Sequence, residues 1–226
     1  NKKRGDSWNF LEGTLLEVKQ LQLKFKNSGL NETLWTGSEA TESNFKALSG
    51  NSPKLLHIAT HGFFYENRLR NNKNNNYLNF EDRYRHTEDP LLRSGLLFAG
   101  ANQTWENGHS FSNSDDGILT ALEISNMDLS NTDIVVLSAC ETGLGDIDGS
   151  EGVYGLQRAF KMAGVDIIIM SLWQVPDIET TEFMDFLYTY WIQLKNIREA
   201  FIKTQKIMQE KYIDDPFKWA AFVLVE

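Results

Sequence analysis

Ile134-Val-Val-Leu137 puts four apolar, mostly β-branched residues in succession. Such a run reads as a strand buried on both faces, the kind that parallel sheets use. Leu55-Leu-His-Ile-Ala-Thr-His61 predicts a second strand, ending in His61-Gly62, and Val165–Leu172 a third. Elsewhere the apolar spacing becomes helical: Leu15, Val18, Leu21 and Phe25, then Val153, Leu156, Ala159, Phe160 and Ala163 with a stop at Gly164, then Asp177–Leu194 and Asn196–Tyr212. The alternation predicts an α/β domain with a mostly parallel sheet and helices on both faces. Weaker patterns predict a short strand over Glu32–Thr36, a helix over Thr41–Leu48, a strand over Leu96–Phe98, a polar loop over Ala101–Asp116, a helix over Ile118–Ile124 and a last strand over Phe222–Val225. Residues 66–90, with Asn71-Asn-Lys-Asn-Asn-Asn76, read as an exposed, partly disordered insertion, either passive or a loop that covers the cleft or is itself cleaved during activation.

The chemistry concentrates where two of these strands end. Cys140 is the chain's one cysteine; it follows Ser138-Ala139 and precedes Gly143, Gly145 and Gly149. Open α/β sheets place reactive groups at the carboxyl ends of their strands. Taken alone, Cys140 fits a small buried apolar residue equally well. His61 shifts the balance, because parallel neighbouring strands would bring both residues to one edge of the sheet. His61 would then serve as base to a cysteine nucleophile, with the N–H groups of Gly62 and Cys140 as donors to an oxyanion. Gly62 suits that role because it carries no side chain to hold a substrate away.

Two other patterns point to less. His57 and His61 are four residues apart, a spacing that shares a face only in a helix, so no metal site is expected and His57 reads as a structural histidine behind His61. Gly143-Leu-Gly145 with Gly149 matches neither common phosphate-loop pattern, and Asp146, Asp148 and Glu151 would repel a phosphate. No cofactor is expected, and those carboxylates would complement a helix dipole or line a pocket.

His61-Gly62 and Ser138-Ala-Cys-Glu-Thr-Gly143 resemble the CHAT domain, a caspase-like family of cysteine peptidases related to separase. The resemblance extends through Glu39–Glu42, His57–Gly62, Ser94–Gly100, Gly117–Ile124, Glu151-Gly152, Ser171–Asp177 and Trp219–Val225. It implies a caspase-like fold, a His61–Cys140 dyad and cleavage of a protein substrate through a thioester. Two alternatives stay open: a non-proteolytic amidase or acyltransferase using the same dyad, and a catalytically silent interaction module. Separase has a similar Trp-x-Val-x-Asp stretch whose aspartate receives a P1 arginine. Asp177 matches that position, with Asp146, Asp148 and Glu151 able to add to the negative field. Pro176 departs from the stretch, and Asp177 also fits a helix N-cap. CHAT domains commonly follow tetratricopeptide or similar repeats, which implies an upstream repeat region or a partner as activator. No repeat is visible within this sequence.

Composition bounds the rest. With 226 residues and 41% hydrophobic content, the chain suits one large domain, divided here as an N-terminal helix-strand-helix portion over 1–52 and a catalytic portion over 53–226. A net charge of −9 argues against a phosphate-backbone partner, so no nucleic acid is expected. One cysteine excludes an internal disulfide and suits a reducing, cytoplasmic setting. Neither a secretory leader nor a membrane span is legible, and the opening at Asn1 reads as an excised domain.

Overall fold

The computed structural model describes residues 7–65, 84, 87–107, 115–138, 151–173 and 175–226, with the side chains of 107 and 151–154 outside that set. It is a mixed α/β structure built on two sheets. The larger has four strands in the order β1 (Leu55–Ile58), β5 (Ile134–Leu137), β6 (Ile167–Ser171) and β7 (Phe222–Val225). β1, β5 and β6 are parallel, with Leu55 opposite Ile134 and Ile134 opposite Ile167; β7 closes one edge antiparallel. The smaller sheet is antiparallel, in the order β2 (Gly62–Phe64), β3 (Ser94–Leu97) and β4 (Ile118–Thr120).

The period of two in a strand explains how the parallel sheet separates two apolar layers. Ile134, Val136, Ile167, Ile169 and Phe222 face one layer, which α1 (Glu12–Asn27), α6 (Asp177–Leu194) and α7 (Ile197–Lys211) cover with Leu21, Phe183, Leu187, Tyr188 and Phe201. Ile58, Val135, Leu137, Ile168 and Met170 face the other, under α2 (Glu42–Lys46), α4 (Ala121–Ser125) and α5 (Glu151–Met162). Leu96 and Leu119 of the antiparallel sheet enter this second layer, so the two sheets share it. Gly95 permits the close approach within the smaller sheet: a Cβ there would lie 2.6 Å from the Leu119 carbonyl oxygen and from the Phe63 ring. The opposite face of that sheet carries Phe63, Tyr65, Leu97 and Ile118, packed with Trp8 and with Ala101 and Trp105 of α3 (Ala101–Asn107).

Several local expectations change. Glu32–Thr36 forms no strand. The stretch read as a polar loop begins with α3, because Ala101 and Trp105, one helical turn apart, both bury. Ile118–Ile124 is a strand and then a helix: Thr120 is extended, its side chain accepts from the Glu123 N–H, and Glu123 answers the Thr120 N–H, a reciprocal cap that divides the segment. The predicted insertion over 66–90 lies mostly outside the described residues. Among the described residues, no helix is long and apolar enough to cross a membrane.

Candidate active site

The strand leading to His61 is shorter than the sequence suggests. The parallel ladder stops at Ile58, and His61 already belongs to the antiparallel sheet, where its carbonyl accepts from the Leu97 N–H at 2.9 Å. The Thr60 hydroxyl donates to the Leu97 carbonyl. The His61 ring is 8% exposed and lies 5.1 Å from the Trp8 ring. Its Nε2 is 2.6 Å from the Asn9 carbonyl oxygen. A carbonyl only accepts, so Nε2 carries the hydrogen and Nδ1 becomes the basic nitrogen of the neutral ring. The carbonyl is itself fixed from the neighbouring residue. Asn102 of α3 accepts from the Trp8 N–H at 2.7 Å and donates to the Trp8 carbonyl at 2.9 Å, and Trp105 stands edge-on to the Trp8 ring.

The cysteine strand ends next to β1, the strand that leads to this histidine. The Ser138 N–H donates to the Ile58 carbonyl at 2.9 Å, so β1 and β5 finish side by side, as expected of parallel neighbours. Ser138 is the last described residue before 151. Cys140, Asp146 and Asp148 lie outside the described residues, as does the side chain of Glu151, the first residue of α5.

Gly62 opens β2 and is buried. In an antiparallel ladder, alternate residues bond to the partner strand. His61 and Tyr65 do so, through the Leu97 N–H to the His61 carbonyl and the Tyr65 N–H to the Arg93 carbonyl. The even-numbered Gly62 therefore turns its N–H to the side of β2 away from β3. Asp177 is not an N-cap: Pro176 occupies that position, and Asp177 is the first residue of α6, exposed, where its charge suits the helix dipole. It lies hard against α1, since a Cβ on Gly13 would come within 2.7 Å of the Asp177 carboxylate.

A family model for the CHAT domain matches residues 1–226. The chain belongs to the CHAT domain family. Among curated proteins, this CHAT domain is similar to tetratricopeptide repeat protein 28 of Mus musculus and of Homo sapiens, each 28% identical over 109 residues. The match covers 48% of this chain and 4% of either relative, so the CHAT domain spans a small fraction of the length of the curated proteins it matches.

The motif residues of this CHAT domain divide by what they touch. Glu42 is structural: buried, it accepts from the Gly117 N–H at 2.8 Å and meets Lys46 at 2.5 Å, and burial pushes its carboxyl above the usual range even against that cation. His57, on the α1-facing side of β1, has Tyr188 Oη 2.8 Å from Nδ1 and Glu17 Oε1 2.7 Å from Nε2. It therefore shares no ligand position with His61. The sequence reading missed Trp8, Asn9 and Glu17. The first two act through a ring face and a backbone carbonyl, which leave no motif. Glu17 left a signal, since a carboxylate four and eight residues before Leu21 and Phe25 sits on the buried stripe of its own helix.

Proposed function

We propose that this CHAT domain is a caspase-like cysteine endopeptidase acting through His61 and Cys140. The observation that carries the reading is the His61 ring, held by the Asn9 carbonyl with Nδ1 as its basic nitrogen, three residues after β1 ends alongside the strand that leads toward Cys140. His61 Nδ1 takes the thiol proton, and the Cys140 sulfur attacks the scissile carbonyl carbon. The N–H groups of Gly62 and Cys140 hold the oxyanion, each donor being worth about 3 kcal/mol of barrier. The C–N bond breaks as His61 returns the proton to the leaving amine. Water then attacks the thioester, releasing the carboxylate product and the thiol. The reaction needs no cofactor, and the thiol suits a reducing compartment such as the cytoplasm.

The test is alkylation and cleavage together. Iodoacetamide should modify Cys140 faster than a cysteine in an unstructured peptide, and Cys140→Ala should cleave no member of a peptide library that the wild type cleaves. Wild-type proteolysis by Cys140→Ala ends the reading. Fast alkylation with cleavage of small amides alone reduces it to an amidase. The relatives are named for tetratricopeptide repeats, which supports an upstream repeat region or a partner as activator.

Asp177 completes the proposal as a receptor for a basic P1 side chain, with Asp146, Asp148 and Glu151 adding negative field. It follows β6 at the same edge of the sheet, and Gly13, which it touches, is four residues from Asn9. Four residues span at most about 14 Å, which keeps the carboxylate near the dyad. Asp177→Asn should lower kcat/KM for P1 Arg peptides by about tenfold, the loss of one charge-assisted contact. An unchanged Arg preference, or an apolar or acidic preference in the wild type, removes Asp177 from the pocket.

A further inference from the structure

The sequence offered no role for Glu17, yet its carboxylate holds two strands and a helix together. Glu17 of α1 is 2% exposed, and its two oxygens serve different elements. Oε1 is 2.7 Å from Nε2 of His57 on β1, and Oε2 accepts from the Ser138 hydroxyl, at the end of β5, at 3.0 Å. Ser138 is 3% exposed, and Tyr188, the other partner of His57, is fully buried. One assignment satisfies every group: the Tyr188 O–H donates to Nδ1, the Nε2–H donates to Oε1, and the Ser138 O–H donates to Oε2. Burial and the Glu17 charge push the Tyr188 phenol far above its ordinary pKa, so it remains a donor.

A buried carboxylate is a costly anchor unless its lone pairs are filled, and this one is filled by groups fixed on separate elements. Among the described residues, main-chain bonds hold β5 to β1 as far as Ser138. Two residues further on stands Cys140. We infer that Glu17 is a positioning residue: through Ser138 it fixes the end of β5 and so the placement of the Cys140 thiol relative to His61. The inference rests on the proposed dyad. It also gives α1 a second function beside its packing. The segment that supplies the Asn9 carbonyl to His61 continues, eight residues later, into the carboxylate that holds the cysteine strand, so one stretch of chain orients both halves of the dyad.

Ser138→Ala and Glu17→Gln test this against Ile169→Val, which trims the same apolar layer without touching the network. The readouts are kcat and KM on a cleaved library peptide, the rate of Cys140 alkylation by iodoacetamide from pH 5 to 9, and thermal unfolding. Misplacing a reacting group by about 1 Å costs on the order of 100-fold in rate. Ser138→Ala is therefore expected to lower kcat by about 10- to 100-fold with KM within about twofold, and to slow alkylation across the pH range. Ile169→Val should unfold earlier yet keep both rates. Glu17→Gln should behave as Ser138→Ala does; if it fails to fold, Ser138→Ala decides alone. A reactive Cys140 whose alkylation and cleavage are unaltered by Ser138→Ala overturns this inference and leaves the dyad standing. Rates that fall equally in Ile169→Val overturn it as well, because they follow stability. A wild-type Cys140 no more reactive than a free peptide thiol overturns the dyad and this inference together.

Discussion

His61→Ala should lower kcat/KM for peptide cleavage at least 1,000-fold, about 4 kcal/mol of transition-state stabilisation, while the protein stays folded. The ring does two things in the proposed reaction, taking the thiol proton and returning it to the leaving amine, and alanine does neither. Its structural contribution is smaller. The lost contacts include one face against Trp8 and one hydrogen bond to the Asn9 carbonyl, so the cost in stability should be about 1–2 kcal/mol. Single-turnover cleavage and urea unfolding separate the two effects. Added imidazole should restore part of the rate, since the gap opens beside Trp8 and the Asn9 carbonyl can still accept its N–H. Cleavage within tenfold of the wild type would mean that another group is the base.

The largest loss of stability is expected from Phe183→Ala on α6. The Phe183 ring is fully buried, stacks on Phe222 of β7 at 4.0 Å and stands edge-on to Phe201 of α7 at 5.8 Å. It therefore joins α6 and α7 to the sheet edge. Truncation removes its transfer free energy and opens a cavity that three elements must collapse around, about 4 kcal/mol in all. Typical domains have about 5–15 kcal/mol in total, so a measurable unfolded fraction at 37 °C should follow. Ile178→Ala on the same helix, at a residue 77% exposed, should stay within about 0.5 kcal/mol of the wild type. Equal urea midpoints for the two variants would refute the packing account.

In the parallel half, β5 and β6 were legible because each is buried along its whole length and therefore writes a nearly unbroken apolar run, whereas β1 is half-buried and interrupted by His57. The long helices were legible because each packs one stripe, and Asp177–Leu194 falls where its spacing put it. Of the antiparallel half only β3 was legible, as the short apolar run over Leu96–Phe98, and the strand spans Ser94–Leu97. Gly62–Phe64 and Ile118–Thr120 are three residues each, too short for a period of two to show, and the second runs straight into its helix through the Thr120 cap. At the candidate site, His61 and Cys140 could be proposed from strand-like runs that lead into glycine-containing loops. What holds His61 could not be read, because Trp8 and Asn9 stand 52 to 53 residues before it and contribute a ring face and a main-chain oxygen.

The switch of sheets between Ile58 and His61 has a mechanical meaning. His61, the proposed base, hangs from the antiparallel ladder through Leu97, whereas the strand that leads toward Cys140 belongs to the parallel one. Between them the chain offers only Ala59 and Thr60. A small rotation of one sheet on the other changes the separation of base and thiol without breaking a rung of either ladder. What resists that rotation is the fit of Leu96 and Leu119 against Ile58, Val135 and Leu137 in the shared layer. The spacing of the reactive pair is thus adjustable by side-chain volume far from the reaction. A methyl group gained or lost in that layer would then retune the proposed activity by degrees, where a dyad on one continuous strand would simply work or fail.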